Sequence, residues 1–139
     1  MSARILVIED DEGIRGVLDR GLRLAGHQPD FAPDLATARQ LWTDDAHDLV
    51  LLDVMLPDGN GIELLTERRA AGDLTPTVLL TAREDAALRD RAASAGATAY
   101  LTKPFAYGDL LACVARLTAG RSTQAPSGSG SSRGAPIGG

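Results

Sequence analysis

The groups whose types and spacing suit chemistry all stand just after short apolar runs. Glu9-Asp10-Asp11 follows Ile5-Leu6-Val7-Ile8, and Asp53 follows Leu49-Val50-Leu51-Leu52. Thr81-Ala82 follows Thr77-Val78-Leu79-Leu80, and Thr102-Lys103-Pro104 follows Thr98-Ala99-Tyr100-Leu101. Gathered carboxylates repel one another and take up protons unless a cation shares the site. All the candidate ligands are oxygens, and the sequence has no Cys/His pattern for zinc. The ion that fits is a hard one, Mg²⁺, held by one or two carboxylates with waters and a phosphoryl group. A carboxylate beside such an ion can attack phosphorus and form an acyl phosphate. Asp53 suits that task because a buried run anchors its backbone. Thr81 can donate its hydroxyl to a phosphoryl oxygen, and Lys103 can pair with the carboxylate or with phosphoryl oxygens. Lys103 is the one lysine beside thirteen arginines. That favours a required point charge at this position over a chance effect of codon usage. Taken singly, an acid after a strand reads equally well as a helix N-cap, which is the alternative for Asp11.

These groups meet only if the elements behind them align. Ile5–Ile8, Leu49–Leu52 and Thr77–Leu80 are short, unbroken and β-branched or leucine-rich, the pattern of buried strands. Residues 28–32 read as a weaker outer strand because Pro29 and Asp30 interrupt them, and 98–101 as a short fifth strand. Helical spacing runs through 12–25 (Ile14, Val17, Leu18, Leu22), 34–46 (Leu35, Ala38, Leu41, Trp42) and 62–71. It returns in 84–95 and in 107–118, where Leu110, Leu111, Val114 and Leu117 share a face. Gly26, Gly72 and Gly96 fit helix stops. Pro57-Asp58-Gly59-Asn60-Gly61 is dense turn chemistry, with Asp58 read as a turn residue. Alternating strands and helices with unbroken apolar strands argue an α/β fold, a parallel sheet covered on both faces. Right-handed crossovers place every strand C-terminus on one edge, where such sheets bind ligands.

Composition bounds the alternatives. The chain has 139 residues, 44% hydrophobic and 24% charged, which suits one globular domain. No apolar run approaches the roughly 18 residues of a membrane span, and Glu9 interrupts the start before a signal-peptide core forms. The single cysteine, Cys113, points to a reducing cytosol and reads as a small core thiol. The net charge of −5 opposes direct binding to nucleic acid. Thirteen of residues 120–139 are Gly, Ser or Pro, so that segment reads as a disordered tail or linker behind a folding unit of residues 1–119.

Four pieces, in order and spacing, carry a resemblance: Ile5-Leu6-Val7-Ile8-Glu9-Asp10-Asp11, Leu51-Leu52-Asp53-Val54-Met55-Leu56-Pro57-Asp58-Gly59-Asn60-Gly61, Leu79-Leu80-Thr81-Ala82-Arg83 and Tyr100-Leu101-Thr102-Lys103-Pro104-Phe105. Together they resemble the receiver domain of two-component response regulators over residues 3–119. The wording is most similar to receivers that carry a winged-helix DNA-binding domain. The resemblance implies a doubly wound, flavodoxin-like sheet of five parallel strands in order 2-1-3-4-5 with five helices. It implies that Asp53 accepts a phosphoryl group from a sensor histidine kinase. Glu9, Asp10, Asp53 and the Met55 backbone carbonyl would hold Mg²⁺, with Asp10 as a direct ligand. Thr81, Ala82 and Lys103 would meet the phosphoryl group, and Thr81 and Tyr100 would form the switch. The Lys103–Pro104 bond would be cis, and Met55 and Arg83 would tune the lifetime of the phosphate. The implied homodimer uses helix 4, strand 5 and helix 5, with Asp109 and Arg116 present on the last helix. Thr98 and Ala99 depart from the subfamily there, standing where two acids usually serve dimer salt bridges.

The expected function is therefore a phosphorylatable switch rather than an enzyme with an external substrate. Its output is transcription if a DNA-binding domain belongs to the natural protein. The alternative is a stand-alone receiver acting by protein contact or phosphorelay. An aspartyl-phosphate phosphatase would place an acid two residues after the nucleophile, where Met55 stands. A module that only keeps the fold would not need every site residue. The remaining residues have plain readings: Trp42 packs its helix, His27 and His47 lie on the surface, and Arg68-Arg69 forms a solvated helix face.

Overall fold

The computed structural model describes residues 2–82 and 86–119. The five apolar runs form β1 (Arg4–Ile8), β2 (Gln28–Ala32), β3 (Leu49–Asp53), β4 (Thr77–Thr81) and β5 (Ala99–Thr102). All pair in parallel in the order β2-β1-β3-β4-β5, as expected. A two-residue antiparallel pairing, Met55–Leu56 with Gly59–Asn60, follows β3. The helices are α1 (Glu12–Leu24), α2 (Leu35–Leu41), α3 (Gly61–Ala70), α4 (Ala86–Ala95) and α5 (Tyr107–Thr118).

Alternation along each strand sends side chains to two separate cores. Ile5, Val7, Leu49, Leu51, Val78 and Leu80 pack with Leu18 and Leu22 of α1 and Leu110 and Val114 of α5. Leu6, Ile8, Val50, Leu52 and Leu79 pack with Leu35, Ala38, Leu64, Leu65, Leu88 and Ala92 of α2, α3 and α4. Burial on both faces is why β1, β3 and β4 read as continuous apolar runs. Cys113 and Trp42 are buried, as expected.

Four local readings are corrected. The helix expected over 34–46 ends at Leu41, with Trp42 capping it at ψ 87°. The chain turns there through Asp45 in the left-handed region, φ 62°. His47 is buried rather than on the surface, and its Nε2 lies 2.8 Å from Asp30 Oδ2 on the edge strand β2. Arg68 and Arg69 do not form a solvated face. Arg68 Nη2 donates to Asp73 and Asp44, each at 2.8 Å, and Arg69 donates to the carbonyls of Asp73 and Gly96. Arg68 ties the end of α3 to the loops at Asp44 and Asp73, and Arg69 ties it to the end of α4 at Gly96. Val17, expected on the core face of α1, is 55% exposed. The reading of 120–139 as a tail, and Arg83, lie outside the described residues.

Candidate functional site

The strand order β2-β1-β3 switches at β1/β3 from laying strands on one side to laying them on the other, and ligands bind outside the strand C-termini at such a point. Glu9 leaves β1 there and Asp53 ends β3. The register sets Ile8 beside Leu52, Asp53 beside Leu80, and Thr81 beside Thr102. One carboxylate oxygen from each of Glu9, Asp10 and Asp53 lies within 4.8 Å of the others. Asp10 is exposed, whereas Glu9 is 0% and Asp53 4% exposed.

Lys103 closes the group from the other side. Its Nζ lies 3.1 Å from Asp53 Oδ2, a hydrogen bond, and 2.6 Å from Glu9 Oε1. The second contact is a close ion pair, so one ammonium faces both buried carboxylates. The other Glu9 oxygen accepts from the Asp11 backbone at 3.1 Å, and Asp53 Oδ1 accepts from the Met55 backbone at 3.2 Å. Burial pushes Glu9 up to about 7, helped by the charge of Asp53 and opposed by Lys103 and the Asp11 N–H. Burial works against the Lys103 charge, but the bond to Glu9 and the charges of Asp53 and Glu9 outweigh it and raise the lysine.

Thr81 is fully buried at the end of β4, and its carbonyl accepts from the Lys103 backbone at 2.6 Å. Ala82 is exposed and borders the groove shared by Asp11 and Lys103. A cleft of about 240 Å³ opens between Thr81 and α4, with Met55 and Asn60 on its far wall. The Lys103–Pro104 peptide is cis. Tyr100 sits two residues before the end of β5 at Thr102, opposite Leu79. It is half-buried against the core under α4, with the Arg89 guanidinium 5.2 Å from its ring centre. The structure thus brings Glu9, Asp10, Asp53, Thr81 and Lys103 to one edge and keeps Tyr100 beside them within the sheet.

Two supporting residues were read only as turn chemistry. Gly61 starts α3 so close to β3 that a Cβ there would stand 2.2 Å from the Asp53 carbonyl oxygen, and its N–H donates to Val54 at 2.7 Å. Asp58 accepts from Leu35 N at 2.8 Å and Ala36 N at 3.1 Å, pinning the segment after Asp53 to the first turn of α2. The glycine in the turn was the visible signal for the first. Nothing local signals the second, whose partners lie more than twenty residues away. Asp11 does cap α1, accepting from Ile14 N at 2.9 Å, and its own N–H also serves Glu9.

An oxygen-only donor set of three converging carboxylates, with Glu9 fully buried, fits a hard divalent cation. A fold of this kind carrying this edge defines a receiver. The response regulator receiver domain family matches residues 5–115, and the chain belongs to it. A similar relative is response regulator MprA of Mycobacterium tuberculosis, 41% identical over 112 residues. That match covers 81% of this chain and 49% of the relative, so the chain spans about half the length of the curated relatives it matches. Among solved structures, the Francisella response regulator 1452 receiver domain superposes with a TM-score of 0.79 at 29% identity, covering 83% of this chain and 95% of that one. The non-phosphorylated HemR receiver domain from Leptospira biflexa gives 0.77 at 34% identity, covering 89% and 98%.

Proposed function

We propose that residues 1–119 act as a Mg²⁺-dependent phosphoacceptor for a sensor histidine kinase, with Asp53 as the acceptor. The observation that supports this best is the Lys103 ammonium spanning Glu9 and Asp53 beside three converging carboxylates. An Asp53 oxygen attacks the phosphorus of the kinase phosphohistidine. The P–N bond breaks, its electron pair returns to the imidazole, and an acyl phosphate forms. Glu9, Asp10, Asp53 and the Met55 carbonyl would hold Mg²⁺, which supplies charge to offset the phosphoryl oxygens. Lys103 releases Asp53 to pair with the incoming phosphoryl group, Thr81 donates its hydroxyl to it, and small Ala82 leaves the approach open. The modification adds roughly −2 of charge. Thr81 moves toward it, Tyr100 turns inward, and the α4–β5–α5 face changes between two pre-existing states. The cleft beside Thr81 gives room for that rearrangement. Met55 and Arg83 set how long the phosphate lasts, and Met55 in the place of an acid argues against turnover of external phosphate esters.

The test is mass-spectrometric localisation of phosphate after incubation with Mg²⁺ and acetyl phosphate. Modification is expected at Asp53 and is expected to vanish in Asp53→Asn. Retained modification in that variant rejects the assignment. We read the output as transcription if a DNA-binding domain belongs to the natural protein, a reading supported by the MprA relative's being about twice as long as the matched region. A cytoplasmic location fits this reading; no helix among the described residues is long and apolar enough to cross a membrane. Asp109 and Arg116 are exposed on α5, which suits a phosphorylation-dependent homodimer through α4, β5 and α5. Sedimentation with and without a beryllofluoride adduct tests the dimer: an unchanged monomer favours the stand-alone alternative.

A further inference from the structure

We propose that Tyr107 is a positioning residue for phosphoryl acceptance, its ring seated on Gly21 of α1 so as to hold the Lys103 segment against the acid cluster. The inference rests on the phosphoacceptor reading above. A Cβ built on Gly21 would stand 0.7 Å from the Tyr107 Oη and 2.0 Å from its Cζ. The tyrosine tip therefore occupies the place a side chain would take, and any residue but glycine displaces it. Gly21 is buried within α1, one turn from its end, where glycine weakens helical structure. Its use there has a contact to justify it. Gly16 on the same helix has nothing within 4 Å and shows no such reason.

The position of this contact connects it to the site. Glu9, Asp10 and Asp11 lead directly into α1, and Lys103-Pro104-Phe105-Ala106 leads directly into α5. These two segments bring the carboxylates and the ammonium together. The first turn of α5 has no side-chain cap at Ala106, although Phe105 and Leu110 on either side pack into the core. Tyr107, the first residue of α5, compensates by keying into the neighbouring helix. Its seat lies one to two turns along α1 from Ile14 and Val17, which border the same groove as Lys103, Pro104 and Phe105. A shift of the α5 start moves the lysine relative to Glu9 and Asp53. Displacements near 1 Å at a reacting centre cost up to about a hundredfold in rate.

The experiment pairs a local backbone probe with the rate of phosphate uptake. Wild type, Tyr107→Ala, Gly21→Ala, the double variant and Gly16→Ala are compared well below their melting temperatures. The Lys103 amide, which donates to the Thr81 carbonyl at 2.6 Å, reports the segment by hydrogen exchange. Amides of β3 report global opening. Tyr107→Ala and Gly21→Ala are each expected to speed Lys103 exchange about tenfold relative to β3, and to slow Mg²⁺-dependent labelling by acetyl phosphate by about the same factor. The double variant is expected to be no worse than Tyr107→Ala, the signature of one shared contact. Gly16→Ala is expected to leave both readings unchanged. If the two single variants change only the melting temperature, or if their effects add, the proposal is overturned. If the wild type takes no phosphate while the exchange pattern holds, the brace stands and the phosphoacceptor reading fails.

Discussion

Glu9 is where a proton and a metal ion compete. It is fully buried, lies 2.6 Å from the Lys103 ammonium, and is pushed by burial to about 7. Its ordinary value is 4.5, so the folded protein takes up a proton as pH falls through 7. In the metal-free protein this raised value favours folding fully below pH 4.5, and that contribution is lost as pH rises through about 7. Metal binding runs the other way, because the ligand must be deprotonated. Calorimetric titration with Mg²⁺ should show affinity rising through pH 6–8, by up to about tenfold per unit below 7, with proton release in the same range. Flat affinity across that range would remove Glu9 from the ligand set. In Glu9→Gln the proton release should disappear. At Lys103, exchange for arginine keeps charge but replaces a compact ammonium with a planar fork. Labelling should then fall by about tenfold or more while the fold persists, as read by circular dichroism.

At the scale of elements, one contact bears on the site and another on stability alone. Gly61 lets α3 start directly against the end of β3, and an added methyl would press on the Asp53 carbonyl. Gly61→Ala should cost about 1–3 kcal/mol in denaturant unfolding and slow phosphate uptake together, since the strained atom belongs to the acceptor. Asp73, in the loop after α3, is buried and accepts from Arg68 at 2.8 Å and Thr75 N at 2.9 Å. Burial raises this carboxyl, but the bonds from Arg68 and Thr75 outweigh it and hold it below the usual range. Its stabilisation is present above pH 3.8 and lost as pH falls through the lower folded value. Asp73→Ala should cost about 2–3 kcal/mol at pH 7 and leave phosphate uptake intact, because α3 and α4 are tied far from the acids.

The elements were legible to different degrees, for physical reasons. β1, β3 and β4 are apolar without interruption because both faces are covered, a one-dimensional signal that needs no partner to read. The acids, Thr81 and Lys103 were legible because they end those runs. The length of α2 was not, since Leu41 and Trp42 continue a helical period that the burial of Trp42 and His47 overrides. His47, Arg68, Arg69 and Asp58 are underread from sequence because each has a partner 17 to 27 residues away along the chain, beside the nearer Asp73 contacts of the two arginines. Polar contacts at that range leave no period in the sequence.

For the whole molecule, the site is a product of the sheet rather than of any segment. Its groups come from the ends of β1, β3, β4 and β5, so cooperative folding and site assembly are one event. Mg²⁺ binding only to the folded state should therefore raise global stability by on the order of 1.4 kcal/mol at ten times its dissociation constant. Thermal unfolding with and without the ion, in wild type and in Asp53→Asn, measures this. An equal shift in both proteins would place the ion elsewhere.

Parallel strands also give the molecule two unlike poles. β1 starts at the pole away from the acids, and α5 sets out beside Lys103 and returns over 12 residues, about 18 Å, toward the pole where β1 begins. Ala3 and Leu117 accordingly pack into the same core. A label attached at Ser2 or Ala119 would hang from the blind side of the domain and leave the pole of Glu9, Asp10 and Asp53 clear.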